Sequence, residues 1–430
     1  MIIKGILFGF GIILSATLCQ AQQKLDYYIS QAVANSPLIQ DNRNLSDAAK
    51  AEVERLKAFY TKPQVTVSAN YMLAPILSSD NGRTKLILNP DNPSQYNGYD
   101  LAASNGGMYQ GLLNINQPLL NGVRSRTTSE KVMVTSQINE NNIKLTTHDI
   151  EKFVTDQYIL CLQDLKQMDY LKNLLVIIAD QKKVVAKLAS NGIAKQSDLS
   201  LITIEQQAQQ NAWNTFNATY RRDLMDLNIL CGINDTTYYL IAPLNLILKT
   251  ENVVSSSAYT ERFRLDSLNL IATQKVFNLK YKPQLNLYAN TGLNGVYIPT
   301  APNRFGVSAG INFVLYLYDG GQRKINNKRT QVLIRSTQSY KNILITQNAV
   351  RKTKALTEIR MLRERMVITQ NQLTEYDKLM NLYQQEVQTG QLSIIIYVNV
   401  LKSMAMLQRD FVLMQANEQL LINTYNYWNW

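Results

Sequence analysis

A single histidine, His148, and only three cysteines occur in 430 residues. One imidazole in a helical stretch, with no nucleophile or carboxylate at motif spacing, is a poor catalytic base. No glycine-rich phosphate loop and no metal-ligand spacing appears, so an enzyme, a cofactor and a metal site are all unexpected. Cys161 and Cys231 lie in helical stretches and suggest no disulfide framework. Beyond residue 21 no run of ~18 apolar residues remains, which excludes a membrane-spanning helix there. A chain of this kind that lives in lipid must do so as a β-barrel, the other way to satisfy every backbone group. Proline and glycine are missing from Val123 to Asn191 and again from Gln322 to Thr389, so nothing in either stretch stops a helix.

Acidic residues are scarce relative to basic ones, 32 against 44, for a net charge of +12. Such a balance suits nucleic acid, anionic lipid or plain solvation. The first 21 residues decide against nucleic acid, because they have the layout of an export signal. Lys4 opens it, an apolar stretch runs from Ile6 to Leu18, and Cys19-Gln20-Ala21 offers a small-residue cleavage site. Cys19 admits a rival reading as a lipid-modified cysteine, against which stands the bulky Leu18 before it.

The chain resembles itself. Lys62-Pro63-Gln64-Val65 returns as Lys282-Pro283-Gln284-Leu285, and Asn121-Gly122-Val123-Arg124 answers Asp319-Gly320-Gly321-Gln322-Arg323. Gly122 and Gly192 are 70 positions apart, as are Gly320 and Gly390. Two structural halves follow, residues 22–235 and 236–430. The first has strands at about 63–73 and 107–117, a long helix at about 122–190 and a return helix at about 196–231. The second has strands at about 283–293 and 305–316, a long helix at about 321–388 and a return helix at about 393–428. The first half carries an insertion of 22 residues among Ser78 to Gly107, rich in Asn, Asp, Pro and Gly, that reads as a long loop.

The strands alternate with period two. Val65, Val67, Ala69, Tyr71 and Leu73 share one face, and Gln64, Thr66, Ser68 and Asn70 the other. Phe305, Val307, Ala309, Ile311 and Phe313 likewise oppose Gly306, Ser308, Gly310 and Asn312. One face suits lipid and the other a water-filled lumen. Tyr71, Tyr109, Tyr288, Tyr297, Tyr316 and Tyr318 fall near strand ends, where interfacial aromatics belong. A soluble sandwich would alternate in the same way, so the helices must arbitrate. A helix of ~70 residues is a rod of ~105 Å. Its apolar positions recur every 3.5 residues through Val154, Tyr158, Cys161, Leu165, Met168, Leu171, Leu175 and Ile178, a coiled-coil period. Rods of that length do not fit a compact domain. Four strands cannot close a barrel, so at least two copies must associate.

In this order and duplicated spacing, the proline-led strands at Pro63 and Pro283, Gln117-Pro118-Leu119, Tyr318-Asp319-Gly320-Gly321 and the turns at Gly192 and Gly390 resemble the TolC-like outer-membrane efflux proteins. The resemblance covers nearly all of the chain after the leader. It implies a membrane α/β fold: a homotrimer whose 12-stranded outer-membrane β-barrel, four strands per subunit, continues as a periplasmic coiled-coil barrel. It also implies a passive exit channel in the outer membrane, docked onto a periplasmic adaptor that an inner-membrane pump or ABC exporter feeds. The competing class is a structural or adhesive coiled-coil protein without a pore. Gly192 and Gly390 would mark the periplasmic tip, with Asp198, Ile394, Ile395, Ile396 and Asn399 as gate candidates. The family often places acidic residues near the second turn; Ile396 and Asn399 stand there in this chain, so an aperture closed by isoleucines would be hydrophobic. The same isoleucines could instead pack between helices. Ser197, Asp198 and Ser393 are candidate helix caps. Arg124, Arg126, Arg323, Lys324, Lys328 and Arg329 cluster where the long helices begin. They suit either phospholipid phosphates or a solvated face.

Overall fold

The computed structural model describes residues 23–73, 76–80, 82–87, 96–97, 107–250, 257–295 and 302–430. The export signal with Cys19, and Tyr297, lie outside them. The elements run α1 (Leu25–Asn35), α2 (Pro37–Thr61), β1 (Gln64–Leu73), β2 (Ile76–Asp80), β3 (Arg83–Ile87), β4 (Tyr96–Asn97), β5 (Gly107–Leu119), α3 (Gly122–Ser190) and α4 (Gln196–Cys231). They continue as α5 (Ala258–Asn278), β6 (Gln284–Gly295), β7 (Phe305–Val314), α6 (Gln322–Gln388) and α7 (Ile394–Trp428). Two compact units share the chain, and each draws on both halves of the sequence. One comprises Pro37–Thr146 and Val254–Gln347 and contains the strands; the other comprises Met1–Ser36, Thr147–Val253 and Asn348–Trp430. Among the described residues no helix is long and apolar enough to cross a membrane.

In the strand-bearing unit a four-stranded antiparallel sheet has the order β1-β5-β6-β7. The two halves meet at its centre, where β5 pairs with β6 from Tyr109↔Gly295 to Leu119↔Leu285. Alternation puts Val65, Val67, Leu113, Ile115, Leu287, Val307, Ile311 and Phe313 on one face, and all are exposed, Val67 by 80%. Water would penalise so continuous an apolar face, at ~25 cal/mol per Å². The opposite face is laced by amides and hydroxyls. Asn114 Nδ2 donates to Ser68 Oγ at 2.8 Å, and Ser308 Oγ to Asn290 Oδ1 at 2.6 Å.

Tyr288 departs from its expected place at a strand end. It falls mid-strand between Asn286 and Asn290, on the polar face, and its ring occupies the space a Cβ on Gly310 would need. Local alternation places Tyr288 there, and the missing side chain across the ladder makes room for it. The insertion also departs from a plain loop, since β2 pairs with β3 and β4 in a small antiparallel sheet. Asp80 faces Arg83 at the end of the β2–β3 ladder, with Gly82 at φ +75°. Asn-Gly between extended runs is the sequence signal for that hairpin.

The other unit is helical, and its core follows the 3.5-residue stripe. Val154, Tyr158, Cys161, Met168, Leu171 and Ile178 of α3 are buried, with Leu224, Leu227 and Cys231 of α4 and Tyr28 of α1 beside the first of them. Val387 of α6 and Tyr397, Val398 and Leu401 of α7 extend the core. Both cysteines are free and buried. His148, 7% exposed, stacks between the rings of Tyr427 and Trp430 and meets the Tyr427 carbonyl through Nε2 at 2.9 Å. Residues 233–250 form neither helix nor strand, yet several of their backbone groups are met by side chains. Tyr158 Oη donates to the Ala242 carbonyl at 2.6 Å, Gln419 accepts from the Leu246 N–H, and Asn426 both accepts from Lys249 and donates to Ile247.

Candidate channel tip and basic cluster

At the two glycine turns the chain reverses in the same way. Gly192 (φ +74°) donates to the Ala189 carbonyl at 3.1 Å, and Ile193 N to Leu188 O at 2.9 Å. Gly390 (φ +73°) donates to Val387 O at 3.1 Å, and Gln391 N to Glu386 O at 2.8 Å. This pairing of left-handed glycine with two backward bonds satisfies two of the carbonyls that a helix end would orphan. The two turns touch, since a Cβ on Gly390 would lie 3.0 Å from Ile193 Cγ2.

Of the gate candidates, Asp198 is spent on the start of α4, where its Oδ2 accepts from the Lys195 N–H at 3.1 Å. Ser197 is exposed within the first turn, and Ser393 stands at the start of α7 without a side-chain capping bond. The three isoleucines separate. Ile394 is 4% exposed and belongs to the core, whereas Ile395, Ile396 and Asn399 are exposed. Helix geometry forces that split, because neighbouring residues differ by ~100° around the axis.

One ion pair in this unit was not legible as a site in the sequence. Glu205 of α4, 2% exposed, meets Lys402 of α7 at 3.1 Å and also accepts from Gln209 at 2.7 Å. Glu205 follows Ile202 by one helical step onto the buried face, and a charge in such a slot signals a partner. Lys402 lies too far along the chain for that signal to name it. An open groove of about 1050 Å³ runs between α6 and α7, lined by Ile368, Asn371, Glu375, Ser403, Met406 and Asp410. Among the described residues no group of three or more His, Cys, Asp or Glu is placed to hold a metal ion.

The basic cluster lies in the strand-bearing unit, and one member stands apart. Arg124 is 9% exposed and donates through Nη2 to the Lys282 carbonyl at 2.7 Å, so its charge is engaged inside the unit. Arg126, Arg323, Lys324, Lys328 and Arg329 are exposed. The start of α6 is held by Asp319, which accepts from the N–H groups of Gly321 and Arg323 at 2.9 and 2.8 Å and from the Tyr281 hydroxyl. Those donors hold its carboxyl below the usual range, the Tyr281 hydroxyl most of all. The Arg323 guanidinium lies over the Tyr281 ring, 5.3 Å from its centre.

No protein-family model and no curated protein matches this sequence. Solved structures do. The outer membrane protein VceC of Vibrio cholerae superposes with a TM-score of 0.69 at 12% identity, over 94% of this chain and 95% of that one. The CmeC outer membrane channel of Campylobacter jejuni gives 0.68 at 13%, over 95% and 86%. The open-state MtrE outer membrane channel of Neisseria gonorrhoeae gives 0.68 at 11%, over 95% and 89%. The fold of this chain is that of the TolC-like outer-membrane channels.

Proposed function

We propose that this protein is the outer-membrane exit channel of a tripartite efflux pump or a type I secretion system, a passive conduit and not an enzyme. One observation carries the reading: a four-stranded sheet with an exposed apolar face is joined to helices of 69 and 67 residues. Among the described residues β1 and β7 each have a partner on one side only. An open edge in hydrocarbon costs several kcal/mol for each unsatisfied backbone group, so the edges must pair with other copies. Three copies give 12 strands, a closed barrel with a polar interior. The long helices then continue the duct into the periplasm, where the glycine turns form the tip and meet the adaptor. Ile395 and Ile396, exposed beside that turn, constrict the aperture with Asn399, while Ile394 anchors the turn to the core. VceC is an outer membrane protein and CmeC and MtrE are outer membrane channels, which favours the same place and role.

Fractionation, mass measurement and planar-bilayer recording test this together. A trimer recovered from the outer membrane that conducts as discrete steps is the expected result. A non-conducting protein would favour the pore-free coiled-coil alternative, and a soluble monomer would refute both.

A further inference from the structure

We propose that the exposed cations at the starts of α3 and α6 form a collar that binds the phosphate headgroups of anionic phospholipids. The proposal rests on the channel reading, since it requires the sheet to sit in a bilayer. Charge partition is the first support. The strand-bearing unit holds 23 Lys and Arg against 12 Asp and Glu, whereas the helical unit holds 20 against 20 once Lys4 of the leader is set aside. The whole surplus of the mature chain therefore sits in one unit.

Placement is the second support. The apolar strand β7 ends at Val314, then Tyr316, Leu317 and Tyr318 follow with exposures of 52%, 90% and 84%, and then Arg323, Lys324, Lys328 and Arg329. Hydrocarbon, amphipathic boundary and phosphate layer succeed one another in the same order across a leaflet. Between Asp319 and Glu358 the chain has no acidic residue. Among the described residues only Arg323 of these cations has an engagement of its own within the fold, over the Tyr281 ring, and the acid at the start of α6 is Asp319 alone. Neither long helix has an acid in its first turn, and a cation there opposes the helix dipole. Among the described residues none of Arg126, Lys324, Lys328 and Arg329 has an acidic partner within ion-pair distance. Charges that repel one another and the helix end persist usefully where a fixed anionic surface compensates them. Each cation near such a surface contributes on the order of a fivefold gain in binding, weakened by salt.

The full-length protein would be reconstituted in bilayers of phosphatidylcholine and phosphatidylglycerol, and the headgroups retained around it counted by native mass spectrometry. Wild type should retain phosphatidylglycerol several-fold over its share, and 0.5 M salt should erode the preference. The variant R126Q/R323Q/K324Q/K328Q/R329Q should lose it, and K172Q/K354Q in the helical unit should keep it. Should the fivefold variant fail to assemble, R323Q/K324Q and K328Q/R329Q are each expected to lose part of the preference. A wild type without headgroup preference, a neutralised variant that retains it, or a control that loses it would overturn the collar. Single-channel recording on the same bilayers separates the two readings. Conductance without lipid preference sinks only the collar, whereas failure to insert sinks the channel reading as well.

Discussion

At the scale of the residue, Asp164 carries the least expected chemistry. It lies on the buried side of α3, 3% exposed, with Oδ2 unpartnered. Burial first, and the neighbouring Asp223 second, push its carboxyl up to about 7. Between the ordinary carboxylate range and that value, the folded state keeps a proton that the unfolded chain has lost. Stability should therefore fall as pH rises through this window, by up to ~1.4 kcal/mol per pH unit, and level off above about 7. Asp164→Asn removes the ionisation. Thermal unfolding in detergent between pH 4.5 and 8 should show a flatter profile for the variant and its largest gain at pH 8. Parallel profiles would refute the assignment. Nothing in the local sequence announces this proton, because the burial and the Asp223 carboxylate behind it both come from packing against another helix. His148 is the contrary case: a lone imidazole in a helical stretch reads as a packing residue, and the aromatic stack around it is packing.

At the scale of the element, the strands and long helices were legible because their determinants are local. Period-two alternation marks the strands, and α3 and α6 run as far as proline and glycine are absent. Register was not legible. The central pairing of β5 with β6 brings Gly292, at φ +146°, so close to Gly111 that an added Cβ would lie 2.1 Å from its carbonyl oxygen. Gly292→Ala should therefore break the central ladder, with loss of assembled protein in the outer-membrane fraction. Gly310→Ala should be far milder, because it displaces only the Tyr288 ring. Comparable assembly of both variants would show that β5 and β6 tolerate a methyl group between them. The β2–β3 hairpin escaped a reading based on composition, although Asn81-Gly82 names the turn on its own.

At the scale of the whole molecule, the aperture is where the proposed channel would close. Ile395 and Ile396 are exposed at the second turn and Asp198 is spent as a helix cap, so on the proposed channel reading a ring built there by three copies would present isoleucines with Asn399 and no acid. Such a constriction closes by packing and dewetting, and offers no carboxylates to a divalent cation. Millimolar divalent cation added from the periplasmic side should reduce wild-type conductance by less than about twofold. Ile395→Asp together with Ile396→Asp should make the block strong. Potent block of the wild type would place acidic groups at the constriction and reject the apolar gate.

Sequence alone determined what repeats at short range: the two-sided strands, the uninterrupted helices and the glycine ends. Each of these depends on backbone freedom and on residues two to four positions apart. Only tertiary structure decided which of six neighbouring cations is buried, which of three isoleucines joins the core, that Gly310 stands opposite Tyr288 and where Asp164 finds its repelling neighbour. Those outcomes depend on contacts between residues tens to hundreds of positions apart, and a local period carries no record of them.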